Sequence, residues 1–492
     1  MMEDWVKCEF SDLLNYEQPT KYIVSSTNYN DSYETPVLTA GKSFIKGYTN
    51  EKDGIFDNIP VIIFDDFTTA SKYVNFKFKV KSSAMKILLP TSKLVNMKFV
   101  FYAMQVNRIR SDTHKRYWIS VFSKKNFLIP PLPIQRAIVS KIETLFSSLD
   151  QGIADLKNAQ AQLKIYRQAV LKKAFEGELT KEWREQQTDL PSADELLEQI
   201  RAERQKHHGK QVLDWEVKVE EWEVNGKKEK KPGKPKSLKA IEFDRTTSEN
   251  YPGNWSIIRS EYISDFITKG TTPQKTELTQ DEGDIPFLKV YNLTFTGKLD
   301  FTINPTFVNL ETHNNFLKRS IVYPNDILMN IVGPPLGKVS IVPTNYSEWN
   351  INQAIVRFRP FTFISTKYLS NFLIAEKTIN TISKKAKATA GQFNLTLQIC
   401  REITIPVPSV EEQHQIVQQI ESRLSVCDKL EESIQTSLKK AEALRQSILK
   451  KAFEGKLLST EEIEQCKAVP DYEPASVLLE RIKAEKFLNL KK

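Results

Sequence analysis

A stretch of about forty residues occurs twice in this chain, and the repeat constrains the fold more than any other feature. Gln135, Ile138, Ile142 and the run Leu171-Lys-Lys-Ala-Phe175-Glu-Gly177-Glu-Leu179 return, shifted by 278 positions and without a gap, as Gln413, Ile416, Ile420 and Leu449-Lys-Lys-Ala-Phe453-Glu-Gly455-Lys-Leu457. So long a period means a duplicated unit, not a short solenoid repeat. In the first copy Ile142, Leu149, Leu156, Leu163 and Val170 stand seven apart, with Leu145, Ala159 and Tyr166 between them. Ile420, Cys427, Ile434, Ala441 and Ile448 do the same in the second. A sevenfold apolar spacing on an otherwise polar stretch predicts a helix with a narrow coiled-coil seam. Forty residues at 1.5 Å each give a rod of roughly 60 Å. One rod alone leaves its seam in water; two in one chain can bury it against each other.

Each rod is entered through prolines, Ile129-Pro-Pro-Leu-Pro133 or Pro406-Val-Pro408, and ends near Gly177 or Gly455. A second, shorter helix follows in both copies, beginning at Pro191 in one and at Pro474 in the other. The organisation read from this is a globule over 1–130, a helical region over 131–205, a linker over 206–250, a second globule over 251–405 and a second helical region over 406–492. Lys227-Lys-Glu-Lys-Lys-Pro-Gly-Lys-Pro-Lys236 gives that linker the composition of a flexible segment, although Trp215 and Trp222 imply that part of it docks. Val61–Phe64 reads as a buried strand of the first globule. In the second globule 284–288, 326–331 and 354–358 read as strands and 368–373 as a helix.

A net charge of +9 with a pI near 9.0 favours a polyanionic partner, nucleic acid before membrane. Cys8, Cys400, Cys427 and Cys466 are scattered and form no metal or redox pair, which fits reduced thiols in the cytoplasm. No stretch is long and apolar enough to span a bilayer, and the first residues do not resemble a leader.

Four segments supply donors of the kind that meet DNA. Phe76–Lys81 alternates, so a strand there would align Lys77, Lys79 and Lys81 on one face, as a phosphate-tracking row or as the lysines that protect a sheet edge. His114, Lys115, Arg116 and Tyr117 set cations beside aromatic rings, a candidate for base reading. In the second globule Lys269 and Thr271 flank a glycine turn, while Lys384, Lys385, Lys387, Thr389 and Gln392 string donors along a loop.

Catalytic signatures are missing. Gly333-Pro-Pro-Leu-Gly-Lys-Val-Ser340 has the wrong glycine spacing for a phosphate loop, and its two prolines remove amides that would cradle phosphate. No dinucleotide-binding glycine turn and no His-Glu-x-x-His occurs. Glu411 and Glu412 begin a helix, where acids favour the N-terminus electrostatically. The residues alone leave open a stand-alone DNA-modifying enzyme and a structural coiled-coil protein.

The arrangement resembles the specificity subunit of type I restriction-modification systems. The resemblance is carried by the helical regions from Pro130 to Gly177 and from Pro406 to Gly455, and by Lys269-Gly-Thr-Thr-Pro273, Asp326–Leu328, Gly337–Val339 and Asn352-Gln353. It implies an α+β fold with two globular α/β target-recognition domains separated by two long helices. These would form an antiparallel coiled coil, with a pseudo-twofold internal repeat whose seam includes Leu149, Leu156, Leu163, Val170, Cys427, Ile434 and Ile448. It further implies a non-catalytic chain that reads a bipartite site in double-stranded DNA and binds no cofactor itself. Two methyltransferase subunits would bring S-adenosylmethionine, and two restriction subunits would bring ATP and Mg2+.

Overall fold

A computed structural model of the chain describes residues 4–39, 43–107, 116–228, 230–241, 251–389 and 392–490. Both rods form as single helices of 44 residues, Leu132–Phe175 and Val410–Phe453. Their ends are built alike. Gln135 and Gln413 each turn the side-chain amide back to a proline carbonyl before the helix, Pro130 at 2.8 Å and Pro408 at 3.1 Å. At the other end Gly177 and Gly455 take φ of +78° and +70°, and the following amides, of Glu178 and Lys456, donate to Lys173 at 2.9 Å and Lys451 at 2.8 Å. A left-handed residue closing a 6→1 hydrogen bond is the glycine stop that the sequence suggested.

The chain divides into two compact units, Met1–Ala159 with Ser433–Lys492, and Gln160–Glu432. Each unit therefore holds one globule, the first part of one rod and the last part of the other. In the first unit Ile138, Val139 and Ile142 share a core with Ile448, Leu449 and Ala452. In the second, Val170, Leu171, Ala174 and Phe175 share one with Ile416, Val417 and Ile420. Arg445 meets Asp150 in the first unit, and Arg167 meets Asp428 at 2.6 Å in the second. In both units residue numbers rise along one helix as they fall along the other, so the two rods are antiparallel.

The seam is unevenly covered. Val170, Cys427, Ile434 and Ile448 are buried, whereas Leu149, Leu156 and Leu163 are half-buried. Two of the intervening positions assigned to the seam, Ala159 and Tyr166, are exposed. A two-helix contact covers one strip of each helix, and Val170 and Ile448 lie where core residues of a globule also pack.

Each globule is clamped to its rod by its own ends. Val6–Glu9 pairs antiparallel with Asn126–Ile129, and Ser256–Arg259 with Thr404–Val407, so the first strand lies on the last one before the helix. The first globule adds a four-stranded antiparallel sheet in the order Leu14–Glu17, Met85–Pro90, Val61–Asp65, Ser71–Val74. The second adds a four-stranded sheet ordered Thr268–Lys269, Ile355–Phe358, Ile327–Asn330, Val339–Ile341, and a five-stranded sheet around Ile285–Leu288. The helix expected over 368–373 spans Thr366–Ile374, started by the Ser365 hydroxyl.

The two globule-to-rod junctions differ in chemistry. Glu412 is fully buried; it accepts from Thr180 Oγ1 at 2.8 Å and Trp255 Nε1 at 2.9 Å and is paired with Arg184. It is thus a buried ion-pair partner, where the sequence suggested only a helix-start acid. The positions one repeat away from Glu412 and Thr180 are Ile134 and Leu458, buried in the first unit around a pocket that Trp5 also lines.

The helix after the first rod runs from Ala193 to Val224. Residues 206–224, assigned to a flexible linker, are helical because Arg204, His208, Trp215 and Trp222 on this helix find partners in the chain that returns after Gly226.

Candidate nucleic-acid interface

In the second globule the fold gathers sequence-distant segments at one place. Gly270 donates its amide to Ile355 O at 3.2 Å, and a Cβ built on it would lie 1.9 Å from Ile351 O. Only glycine allows the turn carrying Lys269, Thr271 and Thr272 to press this closely against Ile351 and Asn352. Thr271 N donates to Ile351 O at 3.3 Å, and the Thr272 hydroxyl meets Gln353. Ala354 accepts from Ile331 N at 2.9 Å, and Ile331 accepts from Leu395 N at 2.8 Å.

Beyond Leu395 lies a hairpin, Lys387–Thr389 paired with Gln392–Asn394, whose second strand also pairs with Val332–Gly333. The donor-rich segment expected as a loop is therefore a helix end followed by a hairpin. Lys384 and Lys385 are exposed in the last turn of Glu376–Lys385, and Lys387, Thr389 and Gln392 fall on the two strands.

Asn330, fully buried, holds the adjoining loop. Its amide donates to Val332 O at 3.1 Å and Pro335 O at 2.9 Å, while its carbonyl oxygen accepts from Lys338 N at 2.9 Å. Lys338 Nζ in turn reaches Val290 O at 3.2 Å. Sequence reading missed Asn330, because a polar residue at the end of an apolar strand gives no sign of which carbonyls it will meet. Asp326, one of the family-like positions, is structural: both its oxygens accept from Arg359 at 2.7 Å.

The first globule departs further from expectation. The regular strand covers only Lys79–Val80, and Lys79 is buried with Phe78 and Val80, not aligned with Lys77 and Lys81 on an outer face. Its ammonium donates to Asp53 O at 2.5 Å and pairs with Glu51 at 3.0 Å, which removes it from any phosphate row. That carboxylate sits below its usual range: burial pushes it up, and hydrogen bonds from Lys79, Ser26 and Ser25 outweigh that effect. Lys77 and Lys81 are exposed, Lys77 lying 4.0 Å from Asp57.

His114 and Lys115 lie outside the described residues. Arg116 is exposed, but Tyr117 is buried, and Trp118 packs at the edge of Phe64, its amide donating to Asp66 Oδ1 at 2.8 Å. These aromatics belong to the core because Asp66, itself buried, draws the backbone of 117–118 inward. Nearby Lys86 is held below the usual lysine range by burial, which the partnering Asp66 only partly offsets.

Among the described residues no group of three or more His, Cys, Asp and Glu side chains could hold a metal ion, and no helix is long and apolar enough to cross a membrane. What the second globule offers is exposed Lys269 and Thr272 on a glycine turn and exposed Lys384 and Lys385 just before a hairpin, turn and hairpin both held by backbone contacts. Such groups serve recognition of an anionic, hydrogen-bonding surface.

Two repeated globules, each fastened to an antiparallel pair of long helices, define a duplicated recognition scaffold. The chain belongs to the family of type I restriction modification DNA specificity domains, whose model matches residues 2–158 and 252–440. It is 42% identical over 186 residues to the Escherichia coli type I restriction enzyme EcoR124I/EcoR124II specificity subunit, a match covering 35% of this chain and 45% of that protein. Against the E. coli EcoBI specificity subunit identity is 26% over 502 residues, covering 98% of this chain and 93% of that one. The fold matches a chain from a type I restriction-modification structure determined in a study of complex assembly and conformational transition. The TM-score is 0.57 at 14% identity, over 92% of this chain and 98% of that one.

Proposed function

We propose that this chain is the non-catalytic, DNA-reading subunit of a cytoplasmic type I restriction-modification complex, recognising a bipartite, asymmetric site in double-stranded DNA. The observation that carries the reading is the family match across both globules, together with the pinned turn and hairpin of the second. Each globule reads one half-site. In the second the readers are Lys269, Thr271, Lys384, Lys385, Lys387, Thr389 and Gln392. In the first they are drawn from Lys77, Lys81, Arg116 and the neighbouring His114 and Lys115.

The two rods act as a spacer and as the seat of two methyltransferase subunits, which supply S-adenosylmethionine and take the target adenine out of the stack. Two restriction subunits add ATP- and Mg2+-dependent cleavage. Sequencing of methylated adenines in cells carrying altered chains tests this. Four residues inserted near Tyr166, about one helical turn or roughly 5 to 6 Å, change the spacer by one or two base pairs and leave the half-sites alone, since DNA advances about 3.4 Å per base pair. Exchange of residues 251–405 replaces one half-site and keeps the spacer. An insertion that alters recognised bases, or an exchange that alters both half-sites, refutes the reading.

A further inference from the structure

The helix Ala193–Val224 does not end the arm it builds. At Asn225-Gly226 the chain reverses, with Gly226 at φ +74° and Lys227 N donating to Trp222 O at 3.0 Å. The returning segment then follows one row of the helix. Lys227 and Lys231 lie over the Trp222 ring at 5.3 and 5.8 Å, Trp215 Nε1 donates to Pro232 O at 3.0 Å, and Lys234 lies over the Trp215 ring at 5.5 Å. Further down, His208 Nε2 donates to Lys236 O at 3.0 Å and Arg204 to Lys239 O at 3.2 Å. From Trp222 to Arg204 the strap tracks about 27 Å of helix at 1.5 Å per residue.

Its charge is one-sided. Residues 227–239 contain seven lysines and one glutamate. All seven lysines are exposed, and only Lys227, at 3.2 Å from Glu223, and Lys239, at 4.0 Å from Glu261, have a carboxylate partner among the described residues. The indoles and prolines fix the strap while the ammonium groups stay in water. Lysine is a point charge suited to phosphate, and the strap holds no Arg, Asn or Gln to fork onto a base edge. A row of exposed lysines on a strap whose backbone is held along about 27 Å of helix matches the phosphates of about eight base pairs at 3.4 Å per step.

We infer that this arm is an accessory duplex-binding surface that holds DNA phosphates without regard to sequence, beside the bases read by the globules. The inference rests on the DNA-reading function proposed above and adds a second kind of contact to it.

The test uses the full chain co-purified with its methyltransferase partner, and two duplexes: one carrying the site found by methylome sequencing, one of equal composition lacking it. Binding is followed against salt for the wild type, for a variant with Lys230, Lys231, Lys234 and Lys236 all changed to Gln, and for one with the same four changed to Arg. The Gln variant should show a log–log salt slope shallower by about 3 to 4, at 0.9 per lost phosphate contact, on both duplexes, with their affinity ratio unchanged. The Arg variant should keep the wild-type slope. An unchanged slope in the Gln variant overturns the inference, and so does a collapsed affinity ratio, which would make the arm a base reader. Loss of the methyltransferase at unchanged slope overturns it too, making the strap a protein contact. A wild type that does not prefer its own site, while the slope difference persists, refutes the specificity reading and leaves the arm's role standing.

Discussion

Arg167 and Asp428 form the same ion pair as Arg445 and Asp150, one repeat length apart with the rods exchanged. Duplication of a single stretch therefore supplied both halves of two interhelical contacts: each copy brings the acid of one pair and the base of the other. Only an antiparallel arrangement brings both pairs together.

These pairs are partly exposed, their acids more than their arginines, and surface pairs are worth about 0.2 to 1 kcal/mol each. Arg167→Ala and Arg445→Ala should each lower stability by that order, measured by urea unfolding. Burial pushes the Asp428 carboxyl up, but hydrogen bonds from Arg167 and Lys298 outweigh it and hold it below the usual range. A lowered folded pKa means that the contribution is full above the unfolded value near 4 and is lost as pH falls through the folded one. Arg167→Ala should thus fall furthest behind the wild type well above pH 4, and the gap should narrow as pH falls below the unfolded value near 4.

Seam substitutions should not cost alike. Ile434 is buried and Leu156 half-buried, so Ile434→Ala should lose about 2 kcal/mol or more and Leu156→Ala about half of that. Equal losses in thermal or urea unfolding would place the seam on a different strip.

Gly270→Ala should damage one half-site only. The added methyl group meets Ile351 O, a backbone atom that cannot swing away, so the turn carrying Lys269 and Thr271 must shift. Methylome sequencing should show relaxed or lost recognition of one half-site, while thermal stability falls by no more than about 1 to 3 kcal/mol.

The thiols report on burial. Cys8 and Cys400 are pushed up to about 12, chiefly by desolvation, and Cys427 is buried on the seam. Native alkylation at pH 8 followed by mass spectrometry should label Cys466 first and the other three only on unfolding.

The rods were legible in the sequence because a sevenfold spacing, a proline entry and a glycine stop are local signals, and the duplication stated them twice. The strands 285–288, 327–330 and 355–358 were legible for the same reason, as short apolar runs between turns. Lys79 was not. Its alternation with Phe78 and Val80 points outward, and only Glu51 and the Asp53 carbonyl, more than twenty residues away, make its burial tolerable. Tyr117 and Trp118 failed likewise, since ring and cation composition suits a core edge as well as a groove. The arm helix was hidden by the lysines and prolines of the strap, and the two tryptophans that hinted at docking are what hold it.

The junction chemistry lets the chain tell its two similar rod ends apart. A globule seated on the wrong copy of the rod end would set the Glu412 carboxylate against Leu458, or Ile134 against Thr180 and the Arg184 guanidinium. Either mismatch strands a buried charge without its partner, a defect worth about 3 to 5 kcal/mol. Sequence similarity along the rods invites exchange of halves, within a chain or between neighbouring copies during synthesis. One acid in place of one isoleucine makes the exchanged assembly the less stable, so the duplicated parts find their proper mates.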